Sequence, residues 1–389
     1  MKYYIIAGEA SGDLHGSNLM RGLYAKDPDA DIRFWGGEKM AEVYRAHQQG
    51  TGWVQDYRNT AVMGLVEVLR KGVFLLRRVA FCRRDIAAWQ PDAVILIDYP
   101  GFNFKIAAFA HKAGFKVFYY IAPKVWASRE GRIRKLKAWV DRLFIVFPFE
   151  RPYFEAKGVP YTYAGNPLLD AVDGSPALQE SRDGFLARTA LPDAPWVALL
   201  AGSRSMEIAS MMPVFMELAD AWHRRHPEFH FVVAAAPARS LADYAPYIGE
   251  RAYVHVVFGE TYGALRHAEA AVINSGTASL EAALIGTPQV VGYRLHPLTY
   301  AIARKIVKVR YISLANLIID RGAFRELIQH EFCVERLLPE LERLVFDAAY
   351  RAKMREDYAS VRALLGGSGA SEAVASAMIE ALQGTAASR

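Results

Sequence analysis

Short apolar runs alternate with longer segments of helical periodicity along the sequence, and this alternation constrains the fold more than any other feature. Buried parallel strands are near-continuous apolar runs, and helical segments between such runs indicate βαβ crossovers. The runs fall into two series: 3–7, 32–36, 93–98, 116–122 and 142–147, then 196–202, 229–236, 253–258, 270–274 and 288–293. We therefore predict an α/β protein with two doubly wound, Rossmann-like domains that face a cleft.

The stretch "GNPLLDAVDGSPALQESRDG" at 165–184 separates the two series. Its two prolines, three glycines and several charged residues are typical of an interdomain linker. A chain of 389 residues also exceeds what a single core usually supports. We expect one domain over 1–168, a second over 169–365, and a C-terminal helix over 366–389.

The composition narrows the class of protein. A net charge of +6 attracts nucleic acid, acidic lipid or phosphorylated substrates, but no nucleic-acid-binding module is recognisable. Cys82 and Cys333 are too few for a disulfide framework and are not spaced like metal ligands. This favours a protein of the reducing cytoplasm. The apolar runs are too short for a signal peptide or a membrane-spanning helix. We expect a cytoplasmic protein that does not bind nucleic acid.

Ligands of doubly wound sheets bind beyond the carboxyl ends of the strands, so the loops that follow the runs hold the candidate site residues. The first loop, "AGEASGDLHG" at 7–16, carries Glu9 and Asp13 and does not fit the dinucleotide fingerprint. Its carboxylates would compete with a phosphate for the positive end of the following helix. The loop favours sugar hydroxyls or proton transfer, although Asp13 can equally be a helix cap.

Asp98 stands at the carboxyl end of another strand of the first half, in "LIDYPGFNFKIA" at 96–107. A carboxylate in that position can act as a general base toward a hydroxyl in the cleft. The alternative is an aspartate that only caps the turn. We predict that Asp98 is the catalytic base, with Asp13 in reserve and Glu9 beside them.

Two loops of the second half combine hydroxyl groups with glycine where a strand leads into a helix. Backbone N–H groups at such a helix start can bind a diphosphate, and an arginine there suits a phosphate. The acid that follows the second loop, Glu281, can accept hydrogen bonds from ribose hydroxyls. For the first loop, the alternative is that Arg204 only pairs with Glu207. For the second loop, the alternative is that Thr277 and Glu281 form a capping box. The predicted nucleotide-binding residues are Ser203, Arg204, Ser275, Gly276, Thr277 and Glu281.

The segment 63–89 is amphipathic at helical spacing and strongly basic. A basic amphipathic helix can lie on an anionic membrane surface, although a helix that only covers the sheet is commoner. The apolar contacts expected with lipid include Val73 and Leu76, and the basic ones are Arg77, Arg78, Arg83 and Arg84.

These loops resemble those of the lipid-A-disaccharide synthases, which are bacterial glycosyltransferases. The resemblance runs from residue 3 to about 330, and the order and spacing of "GEASGD", "PFE" and "SGTASLE" make it specific. Further matches are "WGGEKM" at 35–40, "VMGLVEVL" at 62–69, "DYPGFNFKIA" at 98–107, "APKVWASREGRI" at 122–133, "GNPLLD" at 165–170, "GSRSMEI" at 202–208 and "YISLANLI" at 311–318.

The resemblance implies a GT-B fold, in which the first domain binds the acceptor and the second the nucleotide sugar. It implies inverting transfer of 2,3-diacylglucosamine from UDP to 2,3-diacylglucosamine 1-phosphate, which forms a β-1,6 bond without a metal or other cofactor. It also places Asn316 and Gln329 near the nucleotide, the enzyme at the inner membrane, and the final helix against the first domain. The oligomeric state stays open, a homodimer included.

Five positions depart from the pattern of that family: Asn166, Lys124, Ser128, Ala201 and Arg325. Two other functions remain as alternatives. A sugar-nucleotide epimerase on the same fold would act on UDP-N-acetylglucosamine alone and would not need the basic amphipathic segment. A non-catalytic protein of the membrane surface would not need the two loops that suit phosphate.

Overall fold

The computed structural model describes residues 1–60, 67–237, 239–295, 300 and 309–386, with the backbone alone at 59–60, 67–73 and 385–386. The chain divides into two compact units. Unit 1 comprises Met1–Ala171 and Gly367–Arg389, and unit 2 comprises Val172–Gly366. Residues 63–66 of the predicted amphipathic segment lie outside the described residues.

The described strands of unit 1 form a seven-stranded parallel sheet in the order β3-β2-β1-β4-β5-β6-β7. The strands are β1 Lys2–Ala7, β2 Asp31–Gly36, β3 Trp53–Asp56, β4 Ala93–Ile97, β5 Lys116–Tyr120, β6 Arg142–Ile145 and β7 Tyr161–Tyr163. The helices are α1 Ala10–Lys26, α2 Glu38–His47, α3 Glu67–Trp89, α4 Pro100–Lys112, α5 Ile133–Trp139, α6 Glu150–Ala156 and α7 Pro167–Asp173.

The described strands of unit 2 form a six-stranded parallel sheet in the order β10-β9-β8-β11-β12-β13. The strands are β8 Trp196–Leu200, β9 His230–Ala235, β10 Val254–Phe258, β11 Ala270–Asn274, β12 Gln289–Tyr293 and β13 Glu326–Ile328. The helices are α8 Arg182–Thr189, α9 Ser205–His223, α10 Ala245–Ile248, α11 Thr261–Arg266, α12 Thr277–Ile285, α13 Leu314–Ile319, α14 Val334–Phe346 and α15 Ala348–Leu365.

Both sheets have interior strands that are apolar along their whole length because helices cover them. Every residue of β4, "AVILI", is buried, as is every residue of β8, "WVALL". Helix α3 adds Val79, Cys82 and Ile86 to the core of unit 1, one helical face of its sequence. The observed sheets confirm the predicted α/β fold with two Rossmann-like units.

The strand order reverses once in each sheet, and ligands of such sheets bind at that point. In unit 1 the reversal lies between β1 and β4, and in unit 2 between β8 and β11. The four loops that the sequence singled out are the loops that follow these four strands. Each unit therefore brings its own pair of loops to the carboxyl edge of its sheet.

The last helix, α16 (Ala370–Ala386), belongs to unit 1 and packs along α1. The contact is close at Gly22, where an added Cβ would lie 3.0 Å from the carbonyl oxygen of Ser371 and 3.1 Å from Cβ of Ala375. The carboxylate of Asp170 accepts hydrogen bonds from the N–H groups of Gly369 and Ser371, at 2.5 and 2.7 Å. These bonds fix the start of α16.

We expect Gly22→Val to lower the free energy of unfolding of unit 1 by about 1–3 kcal/mol, because the larger side chain forces α1 and α16 apart. Urea unfolding followed by circular dichroism measures the change. Gly384→Val is the matched control in α16 itself, since an added Cβ there meets nothing within 4 Å. Equal effects of the two substitutions would contradict the close contact at Gly22.

Candidate active site

Asp98 lies directly after β4 in an unusual turn. Asp98 and Tyr99 both have left-handed backbone conformations, with φ of 43° and 45°. The carbonyl oxygen of Asp98 accepts hydrogen bonds from the Tyr119 hydroxyl at 2.6 Å and from Nδ2 of Asn103 at 2.8 Å. Two such residues in succession cost free energy, and structures retain them chiefly at functional sites.

The electrostatic surroundings of Asp98 suit a general base. Burial raises the pKa of its carboxyl group to about 6, the positive charge of Lys124 lowers it, and the negative charge of Glu9 raises it. The group is therefore mostly ionised at neutral pH and has a pKa close to the pH at which it would accept a proton. A shifted pKa beside a strained turn is typical of a catalytic position.

The loop after β1 packs against the turn after β4. A Cβ added at Gly8 would overlap the ring of Tyr99, so only glycine permits this contact. Glu9 is exposed and directly precedes α1. The charge of Glu9 acts on the carboxylate of Asp98, which puts both acids at the same edge of the sheet.

Asp13, the predicted reserve base, makes the helix-capping contacts that were its alternative role. Its carboxylate is buried and accepts hydrogen bonds from the N–H groups of Gly37, Lys39 and Met40, at 2.7, 3.2 and 3.1 Å. These groups belong to the start of α2, so Asp13 caps that helix rather than its own. Three backbone donors engage the carboxylate and leave it poorly suited to proton transfer.

Glu150 of the "PFE" motif is a residue to which the sequence analysis gave no role. Its carboxylate is buried and accepts from the N–H groups of Val146 and Phe147, at 3.1 and 3.0 Å, and from Nε1 of Trp126 at 3.1 Å. Burial raises the pKa of Glu150 to about 7. The bonds tie the turn after β6 to the loop that carries Lys124, the cation that acts on Asp98.

In unit 2 the loop after β8 is closed by Glu207. One oxygen of the Glu207 carboxylate accepts from the N–H groups of Ser203 and Arg204, at 2.9 and 3.1 Å, and the other lies 3.3 Å from Nη1 of Arg204. Gly202 adopts a left-handed conformation with φ of 96°. The pairing of Arg204 with Glu207 is thus present, and a phosphate would bind these N–H groups only in exchange for that carboxylate.

The loop after β11 differs from the capping box considered above. Helix α12 begins at Thr277 itself, and Gly276 occupies the cap position without a side-chain cap. The N–H group of Ser275 donates to the carbonyl oxygen of Gly292 at 2.9 Å, whereas Gly276 and Thr277 are exposed. The carboxylate of Glu281 accepts a hydrogen bond from the hydroxyl of Tyr262 at 2.7 Å.

Asn316 and Gln329, which the family resemblance places near the nucleotide, hydrogen-bond to backbone groups of unit 2. Asn316 is buried; its amide donates to the Phe324 carbonyl at 3.1 Å and accepts from the N–H of Ala323 at 2.8 Å. The Gln329 amide pairs with both backbone groups of Leu295, at 2.8 and 3.1 Å. Both side chains shape the loops beside the site.

The four arginines predicted to contact lipid divide into two groups. Arg78 lies over the ring of Trp35 at 5.0 Å, and Arg83 donates to the carbonyl oxygen of Lys105 at 3.1 Å, so both contact unit 1 itself. Arg77 and Arg84 are exposed, as are Phe74, Leu76 and Phe81. The side chain of Val73 lies outside the described residues.

The described part of the chain contains no group of three or more His, Cys, Asp or Glu side chains arranged to hold a metal ion. None of its helices is both long and apolar enough to cross a membrane.

The sequence matches a known protein family over nearly its whole length. Residues 3–380 match the model of the family described as lipid-A-disaccharide synthetase. The lipid-A-disaccharide synthase of Geobacter metallireducens is 40% identical over 380 residues, which cover 97% of this chain and 96% of that protein.

Solved structures with a similar fold have low sequence identity. The UDP-GlcNAc 2-epimerase of Neisseria meningitidis, bound to UDP-GlcNAc, has a TM-score of 0.70 at 13% identity and covers 98% of this chain and 100% of its own. The calicheamicin glycosyltransferase CalG4 has a TM-score of 0.58 at 17% identity and covers 98% of both chains. At such identities the likeness concerns the fold, which supports the GT-B prediction and does not favour the epimerase.

Ionised Asp98 should make the protein less stable. Its folded-state pKa of about 6 lies above the ordinary value of 3.8. The folded protein therefore binds more protons than the unfolded chain between these values, and stability falls as the pH rises through that range. At pH 8 the free energy of unfolding of Asp98→Asn should exceed that of the unsubstituted protein by about 1–2 kcal/mol, and this difference should disappear toward pH 4.

Melting temperatures between pH 4 and pH 8 test this expectation. Asn tolerates the left-handed conformation at this position, so the substitution adds no backbone strain. Asp29→Asn, at an exposed position of the same unit, is the matched control. A gain for Asp98→Asn that does not change with pH would show that burial does not raise this pKa.

Proposed function

Because this chain belongs to the lipid-A-disaccharide synthetase family, we propose that it joins two acylated glucosamine units as an inverting glycosyltransferase. The donor is UDP-2,3-diacylglucosamine, the acceptor is 2,3-diacylglucosamine 1-phosphate, and the products are the β-1,6-linked disaccharide 1-phosphate and UDP. The observation that carries the proposal is the family match over nearly the whole chain. The loop pairs at the two strand-order reversals support it.

Asp98 is the proposed catalytic base. Inversion at the anomeric carbon needs one direct displacement, in which the acceptor 6-hydroxyl attacks while UDP leaves. Asp98 takes the proton of that hydroxyl, and a raised pKa of about 6 makes its carboxylate a better proton acceptor than an ordinary aspartate. Glu9, at the same edge of the sheet, raises that pKa and stands near the acceptor.

The second unit holds the leaving UDP in this proposal. The loop of Ser203 and Arg204 and the start of α12 at Gly276 and Thr277 bind the diphosphate, with the positive ends of α9 and α12 behind them. Ser275 adds a hydroxyl group at the same loop. Glu281, oriented by Tyr262, accepts hydrogen bonds from the ribose.

Incubation with both diacylated substrates, followed by mass spectrometry for the disaccharide and UDP, tests the proposal. We expect Asp98→Asn to lower kcat by roughly 10²–10⁴-fold, the usual contribution of a general base. Asp92→Asn is the matched control, because Asp92 precedes β4 at the opposite end of the strand and binds the N–H of Lys2. Epimerisation of UDP-N-acetylglucosamine without disaccharide formation would refute the transferase.

We further propose that the enzyme works at the cytoplasmic surface of the inner membrane, because both substrates carry acyl chains. The exposed face of α3 supports this: Phe74, Leu76 and Phe81 are 46%, 59% and 44% exposed, and Arg77 and Arg84 are exposed with them. A helix with apolar and cationic side chains on its exposed side suits an anionic bilayer. Arg78 and Arg83, which contact unit 1, contribute less.

Cosedimentation with anionic vesicles at low salt measures this interaction. Replacing Arg77 and Arg84 with serine should weaken vesicle binding by roughly 30-fold, because each basic residue near the surface contributes about 1 kcal/mol. Replacing the exposed Arg336 and Arg355 of unit 2 removes the same charge elsewhere and should have little effect. If both double variants bind like the unsubstituted protein, α3 only covers the sheet.

A further inference from the structure

Arg239 is a second arginine at the loop after β8, and no sequence motif draws attention to it. It follows β9, the neighbour of β8, at the same edge of the sheet. Its Nε and Nη2 atoms donate hydrogen bonds to the carbonyl oxygen of Ser203, at 2.9 and 2.7 Å. Nη1 donates to the hydroxyl of Ser205 at 2.7 Å. Three donors of one guanidinium group therefore hold one short loop.

The surroundings of Arg239 keep this guanidinium in place. Its side chain is only 17% exposed, and Nη1 lies 3.6 Å from the carboxylate of Asp243. That carboxylate is held in turn by the N–H and hydroxyl groups of Ser240, at 2.9 and 3.2 Å. Hydrogen bonds from a charged donor are stronger than neutral ones, so the arrangement is rigid.

The peptide between Ser203 and Arg204 is held from two sides. Its carbonyl group accepts from Arg239, and its N–H group donates to Glu207. Because a peptide unit is planar, fixing the carbonyl also fixes the direction of the N–H group. If a diphosphate replaced the Glu207 carboxylate, Arg239 would still hold the peptide in the orientation that presents this N–H.

We propose that Arg239 is a positioning residue of the nucleotide site, which preorganises the Ser203–Arg204 peptide for the diphosphate of the donor. The inference rests on the proposed function, because it takes this loop as the diphosphate-binding one. A preorganised loop binds its ligand without a further ordering cost. Loss of Arg239 should therefore affect the nucleotide and leave the acceptor unaffected.

Calorimetric titration with UDP, together with steady-state kinetics, tests the proposal. Arg239→Gln should raise the Kd for UDP and the KM for the UDP-sugar roughly 10- to 100-fold, the loss expected for hydrogen bonds to a charged group. The KM for the acceptor should not change. The Kd for UDP of Arg239→Lys should fall between those of the unsubstituted protein and Arg239→Gln, since lysine keeps the charge and lacks the planar fork.

Arg251→Gln is the matched control. Arg251 pairs with Asp220 at 2.6 Å and donates to the carbonyl oxygens of Tyr247 and Ile248, but it precedes β10, at the opposite edge of the same sheet. It should lower the melting temperature without changing UDP binding. Equal effects of Arg239→Gln and Arg251→Gln on UDP binding would reduce Arg239 to a general structural role and overturn the proposal.

Arg204→Gln separates this proposal from the proposed function. If Arg204→Gln weakens UDP binding and Arg239→Gln does not, the nucleotide site stands and the positioning role of Arg239 is refuted. If the unsubstituted protein does not bind UDP, both proposals fail together.

Discussion

The turn of Asp98 and Tyr99 is the constraint on which the part of the candidate active site in unit 1 depends. Two successive side-chain-bearing residues in the left-handed conformation cost on the order of 1–3 kcal/mol each, so the surrounding structure must impose them. Tyr119 and Asn103 hold the carbonyl oxygen of Asp98, and the close packing of Gly8 fixes the ring of Tyr99. The backbone of the turn is thus held by β5, by α4 and by the loop after β1.

The interior strands and the loops that follow them were predictable from the sequence. A strand covered by helices on both faces must be apolar throughout, and parallel strands bring their following loops to one edge. The edge strands β3, β7 and β13 were missed, since "WVQD", "YTY" and "ELI" have three or four residues and none is continuously buried. A strand with one neighbour needs no apolar run; the edge strand β10 has one at 253–258 and was predicted, whereas these three short strands have none.

The hydrogen-bond partners of the site residues were less predictable than their positions. Asp13 caps α2, which begins more than twenty residues later, and Gln329 pairs with Leu295. Spacing predicts a cap only when donor and acceptor are a few residues apart, as at Ser181 and Gly184. The sequence therefore identifies the acids and amides at the carboxyl edge of the sheet. It cannot distinguish those that hydrogen-bond to backbone groups from those that face a ligand.

The pKa of Asp98 depends both on the fold, which buries the carboxyl group, and on charged residues near it. The fold holds Asp98 in a turn whose burial raises the pKa of its carboxyl group. Lys124, which lowers the same pKa, is one of the five positions that depart from the family pattern. The loop that carries Lys124 is anchored by Glu150 through Trp126. A charged side chain on an anchored loop thus offsets part of the burial effect on the pKa of Asp98 without altering the turn itself.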